Sequence, residues 1–196
     1  MNKYYKKLLS FLIKNQSISR EDRELYEYAI KVVVHAFINI LSTIIIGLFL
    51  GMLKESICLF FTYFILRKFS GGLHLNKYIY CLLNSLVLMI LTLLTIKHLE
   101  QNTYNVIFMV SITFSTIFIF FFSPLDNENK KLTDKEKLVY RIVSVILSIV
   151  FYIVSVMLIS KQSELGYSYG CGLMLTAVLL IAGWIKKFLV EKRIIK

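Results

Sequence analysis

Charge and proline are scarce in this chain. Of 196 residues only 18% are charged, 57% are hydrophobic, and there is a single proline. A water-soluble domain of this length needs more charge on its surface. Cysteine is scarce as well: Cys58, Cys81 and Cys171 lie in or beside apolar segments, an odd set without framework spacing, which argues against a disulfide scaffold. What the chain has instead is apolar runs, several near 20 residues long, the signature of an integral membrane protein. Backbone in lipid must be helical or form a closed barrel. The runs do not alternate as barrel strands do. The expected fold is all-α: a polytopic membrane bundle of about six helices forming one domain over residues 1–196.

The net charge is +11. In a soluble protein that excess suggests nucleic acid, but here the charges sit between oily segments rather than on one face, so no nucleic-acid partner is expected. The opening MNKYYKKLLSFLIKNQ has a basic start, but its apolar patch is short and interrupted by Lys14, unlike a cleavable signal peptide. Residues 1–31 are read as a cytosolic or interfacial segment, amphipathic at the membrane face or a disordered leader.

The apolar runs are 32–53, 56–66, 79–96, 104–122, 139–160 and 169–185. The second is short and reaches crossing length only if its helix begins near Gly51, with local thinning or snorkelling; a re-entrant hairpin is the competing reading. Six crossings put both termini on one side. Residues 1–31, 67–77, 125–141 and 186–196 then hold 20 basic and nine acidic residues, while the other side holds only Lys54, Lys97 and Lys161 among its basic residues. The positive-inside rule reads the basic excess alone, and it assigns the richer side to the cytoplasm. The bias also favours a crossing by the short second run. Residues 67–77 and 125–138 become cytosolic loops.

The first of these loops contains RKFSGGLHLNKYIYC, residues 67–81. A thiol becomes a nucleophile when a base takes its proton, and a neutral imidazole does this near neutral pH. His74 and Cys81 are seven residues apart, on one face of a straight helix but separated by a rise of about 10 Å, too far for a hydrogen bond. A working pair needs a break, and Gly71 and Gly72 give the chain freedom for one. Residues 70–76 are therefore expected not to be a regular continuation of the following helix, with His74 folding back toward Cys81. The plainer alternative is a packing cysteine, a solvated histidine and glycines serving a helix contact. One His and one Cys are too few for a metal site, and no cofactor is expected. Arg67 and Lys68 could lower the thiol pKa or hold a carboxylate; they also serve topology. The later loop offers Asp126 and Glu128 to orient an imidazole, and Lys130 and Lys131.

Together these residues resemble the signature of the AgrB family, accessory gene regulator protein B. The family's pattern has an Arg, a Gly-Gly-x-His and a Cys seven residues after the His, as in RKFSGGLHLNKYIYC. A second stretch, PLDNENK from Pro124 to Lys130, resembles the family's Pro-x-Asp-x-Glu-Asn-Lys-like loop, and brings Asn129 into the candidate set. The resemblance implies a bacterial cell-membrane endopeptidase of a quorum-sensing system, acting on an AgrD-like precursor peptide at the cytoplasmic side. It implies Cys81 as nucleophile and His74 as base, with release of the precursor's C-terminal tail, a thioester on Cys81, and cyclisation to a thiolactone or lactone. The expected partners are that precursor and membrane lipid, with a homodimer left open. Arg67, Lys68, Gly71, Gly72, Pro124, Asp126, Glu128, Asn129, Lys130 and Lys131 are the supporting or substrate-binding candidates.

Two other functions compete. A small peptide transporter or exporter would want polar groups within its crossings, and here Asn39 and Asn84 are the few strong ones. A non-enzymatic membrane scaffold would leave His74 and Cys81 incidental.

Overall fold

The computed structural model describes residues 23–73, 78–98, 105–125 and 133–191. These form six helices: α1 (Arg23–Leu50), α2 (Leu53–Ser70), α3 (Tyr78–His98), α4 (Asn105–Phe122), α5 (Asp134–Ser160) and α6 (Glu164–Glu191). No strand occurs among the described residues. The all-α expectation therefore holds, and each apolar run in the sequence corresponds to one helix.

Their ends differ from the hydropathy reading in three places. Gly51 has φ +70° and ends α1, so it does not lengthen the second helix, which begins at Leu53. The Met52 amide closes this turn on the Gly47 carbonyl at 2.8 Å. Next, α2 continues through Arg67 and Lys68 to Ser70, so the first four residues assigned to the 67–77 loop are helical. These cations in its last turn, with Glu55 in its first, suit the helix dipole. Finally, α5 starts at Asp134, five residues before the apolar run, because Thr133 and Glu136 form a capping box. The Thr133 amide donates to Glu136 Oε2 at 2.9 Å, and the Glu136 amide returns to Thr133 Oγ1 at 3.4 Å. The 125–138 loop is shortened accordingly.

Among the described residues three helices are long and apolar enough to cross a membrane, over Val33–Leu50, Asp134–Ser160 and Glu164–Val190, and Leu82–Lys97 and Val106–Phe122 are shorter apolar helices. At 18 residues α2 spans about 27 Å. The outer surface is far more apolar than that of a soluble protein. Large apolar side chains face outward: Phe49 is 89% exposed, Val106 75% and Phe114 69%. The interior contains Ser56, Thr62, Ser148, Ser155 and Thr176, all buried. Such outward faces in water would be very large exposed patches, whereas lipid solvates them and small hydroxyl residues let helices approach closely. Most of these hydroxyls donate within their own helix, Thr62 to the Cys58 carbonyl at 2.9 Å and Thr176 to the Gly172 carbonyl at 2.8 Å. Ser155 instead donates across to the Gly166 carbonyl at 2.7 Å, joining α5 to α6.

The chain divides into two compact units, Met1–Thr43 and Ile44–Lys196. In the first, Asn39 Nδ2 donates to the His35 carbonyl at 3.0 Å, and Thr43 Oγ1 to the Asn39 carbonyl at 2.8 Å. Polar groups placed in an apolar helix are thus satisfied by its backbone. In the second unit, α6 packs against α2, α3, α4 and α5. One core cluster gathers Leu59, Leu93, Ile112, Ile159 and Tyr167. The other gathers Leu66, Ile119, Leu125, Phe151, Leu173 and Leu180, and it lies beside the end of α2 where the candidate site begins.

Candidate functional site

The chain leaves α2 through two residues that require glycine. Gly71 has φ +77° and Gly72 has φ +137°, a region that L side chains rarely adopt. Residues 71–73 are non-helical and Ser70 ends the preceding helix, so the described part of 70–76 does not continue the following one, as expected. The space at Gly71 is equally restrictive, since a Cβ there would lie 2.4 Å from the Leu125 carbonyl oxygen.

That contact joins the two sequence motifs. The Leu125 amide donates to the Ser70 carbonyl at 2.9 Å. Ser70 and Leu125, far apart in the chain, are both buried. The Ser123–Pro124 peptide is cis, and Pro124 is half-buried. Ser123 Oγ lies 2.6 Å from Ser144 Oγ, tying the end of α4 to α5.

A third element completes the junction. The Leu73 amide donates to the Leu179 carbonyl of α6 at 2.9 Å. The indole Nε1 of Trp184 donates to the Phe122 carbonyl at 3.1 Å, and its ring meets Phe122 edge-on. Lys187 Nζ sits 5.2 Å from the Trp184 ring centroid. An aromatic beside lysines at a helix end suits a membrane–water interface.

Arg67 is half-buried and braces the turn from below. Its Nη2 donates to the Leu73 carbonyl at 2.6 Å and its Nη1 to the Tyr63 hydroxyl. The Tyr63 hydroxyl in turn lies 3.5 Å from Ser85 Oγ on α3. The forked guanidinium thus holds both a side chain of its own helix and the loop carbonyl, a geometry that lysine lacks. Lys68 is exposed, with its ammonium 5.6 Å from the Phe69 ring centroid. It takes no part in the bracing.

Among the sequence candidates, the structure therefore brings together Arg67, Gly71, Gly72 and Pro124. Lys68 points elsewhere. Cys81 lies in the first turn of α3, one helical turn before Ser85. His74, Asp126, Glu128, Asn129, Lys130 and Lys131 fall outside the described residues, as does the expected fold-back of His74 onto Cys81. Among the described residues no group of three or more His, Cys, Asp or Glu side chains could hold a metal ion. Reading the sequence missed Tyr63, Leu125, Leu179, Gly183 and Trp184. For Leu125 the signal was its place inside PLDNENK; for Trp184 it was a lone indole just ahead of the basic tail, and Gly183 carried no signal of its own.

The family model for accessory gene regulator B, AgrB, matches residues 5–184, which include both motifs and most of α6. The chain belongs to the AgrB family. Its relatives include a "Putative AgrB-like protein" of Clostridium perfringens (strain SM101 / Type A), 27% identical over 183 residues, covering 90% of this chain and 86% of that one. "Putative AgrB-like protein 2" of Clostridium perfringens (strain 13 / Type A) is 28% identical over 168 residues, covering 83% and 78%. A "Putative AgrB-like protein" of Listeria monocytogenes serotype 4a (strain HCC23) is 27% identical over 120 residues, covering 60% and 58%. No solved structure matches the chain. Membership ties this AgrB-family chain to the accessory gene regulator system, and with its apolar helices makes it a membrane protein.

Proposed function

We propose that this AgrB-family protein is a membrane cysteine endopeptidase that cuts an AgrD-like precursor at its C-terminal tail and promotes cyclisation of the remainder. The observation that carries the reading is the junction itself: Ser70 and Leu125, from the two family motifs, share a 2.9 Å main-chain hydrogen bond. The same junction joins the first motif to α6, through the Leu73 amide on the Leu179 carbonyl.

In this mechanism His74 takes the proton of the Cys81 thiol. The thiolate attacks the carbonyl carbon before the tail, and the C–N bond breaks as the imidazolium returns the proton to the leaving amine. The signal portion stays on Cys81 as a thioester. A cysteine or serine within it then attacks that thioester, releasing the Cys81 sulfur and closing a thiolactone or lactone ring. Thiol–thioester exchange is nearly neutral in energy, so the first case runs easily. Hydrolysis competes unless water is kept from the acyl group.

The basic excess supports a cytoplasmic face for this chemistry, with all six helices crossing. Lys68, Lys130 and Lys131 attract an acidic tail there, and an amphipathic leader would bring the precursor to the same surface. Asp126, Glu128 and Asn129 are the candidates to orient His74. Arg67 holds the turn that leads to His74.

The test is co-expression with a precursor peptide, with cleavage read by mass. Cys81→Ala and His74→Ala are each expected to reduce product to background, and Cys81→Ala to remove any acyl adduct. Continued cutting by Cys81→Ala defeats the mechanism. Labelling residues 70 and 128 from outside the cell would defeat the orientation.

A further inference from the structure

We propose that Gly183, far from both motifs in sequence, is a positioning residue that seats on α6 the Gly72–Leu73 turn, to which His74 is bonded; the inference rests on the catalytic roles given above. In a helix the Leu179 carbonyl points toward the amide of residue 183. A carbonyl has a second lone pair, and here it accepts the Leu73 amide at 2.9 Å. That approach is open because residue 183 has no side chain. A Cβ at Gly183 would lie 2.9 Å from the Leu73 nitrogen, 2.9 Å from the Gly72 carbonyl carbon and 2.5 Å from Leu125 Cδ2. Two of these neighbours are backbone of the first motif, and the third is the buried side chain of the second.

No other buried glycine of α6 has such surroundings. A Cβ at Gly172 would meet Thr62 of α2 at 2.7 Å, and one at Gly170 would meet Phe108 of α4 at 2.6 Å. Those glycines let helices pack. Gly183 lets a loop dock, and the residue bonded to Leu73 on its far side is His74. Leu73 is held twice, by its amide on Leu179 and by its carbonyl on Arg67 Nη2 at 2.6 Å. A methyl at residue 183 displaces the amide and leaves the carbonyl held, which turns the peptide leading into the proposed base. Flexible Leu125 can yield to the methyl; the Gly72–Leu73 backbone can yield only by leaving its seat.

The experiment uses the full chain in lipid nanodiscs. Its first readout is hydrogen exchange at the Leu73 amide without substrate. Its second is the kcat and KM for cleavage of a synthetic AgrD-like peptide with an amphipathic leader, an internal cysteine and an acidic tail. Gly183→Ala is expected to speed exchange at Leu73 by about tenfold or more as local protection is lost. It should lower kcat by about 100-fold, the scale of an ångström misplacement, with KM little changed. Gly172→Ala, a packing change of similar severity on the same helix, should leave both readouts near wild type in the folded protein. Leu125→Ala makes room only on its own side of the methyl, so the Gly183→Ala/Leu125→Ala double variant should keep the accelerated Leu73 exchange, and it supplies a second chain for the measurement if the single change does not insert. The proposal is overturned if Leu73 exchange is unchanged by Gly183→Ala or if Gly172→Ala accelerates it equally. Exchange requires no catalysis, so activity surviving Cys81→Ala would defeat the enzyme mechanism while leaving the docking result standing.

Discussion

The two ends of α6 use the same device for different purposes. Near its start, a Cβ on Gly166 would meet Ile159 Cγ1 and the Ile159 amide nitrogen, each at 2.7 Å, so the glycine lets α5 and α6 close as a hairpin. Near its end, Gly183 faces Gly72, Leu73 and Leu125, none of them in a helix. The first end is fastened by a short turn, in which the Ser163 amide reaches the Leu158 carbonyl at 3.0 Å, and by the Ser155 hydroxyl on Gly166. The second is fastened by main-chain bonds between segments remote in sequence. A local hairpin needs little loop-closure entropy, whereas a long-range junction must offset much more. The costlier arrangement lies beside the residues that carry the family motifs, which is where precise placement matters.

The contrast can be broken most severely at Gly71. Gly71→Ala imposes a side chain at φ +77° and drives it against the Leu125 carbonyl at 2.4 Å. Peptide cleavage should fall by about 100-fold or more, since the turn carrying His74 is misplaced, and kinetics on the folded protein check it. Gly166→Ala should act oppositely. It should cost about 1–3 kcal/mol through overpacking of α5 against α6, read as a lower unfolding midpoint, while kcat of the folded fraction stays near wild type. Equal loss of kcat in both variants would erase the distinction between the ends. The mildest change is Thr133→Ala, which removes the α5 cap and should cost about 1 kcal/mol. It should leave Leu73 exchange untouched, because the bonds of the capping box run between Thr133 and Glu136 of α5's own first turn.

The sequence was most informative where physics is local. Long apolar runs located all six helices, because lipid leaves the backbone no alternative. Gly71 and Gly72 marked the turn, because few other residues fit such dihedrals. The capping box at Thr133 was equally local, but the hydropathy run starting at Val139 obscured it. Gly183 could not be recognised in the same way. A glycine within an apolar run has many explanations, and what distinguishes this one is a partner more than 100 residues earlier in the chain. Arg67 shows the intermediate case: its charge suggested chemistry or topology, whereas its contacts reveal a brace between Tyr63 and Leu73.

The Leu73–Leu179 bond also bears on biosynthesis. The acceptor lies in α6, more than 100 residues after the donor, so a nascent chain carries both family motifs before it has anywhere to dock the first. A chain stopped ahead of residue 179 can insert most of its helices and still lack the seat. The seat for the first motif therefore forms only after residue 179 has been made.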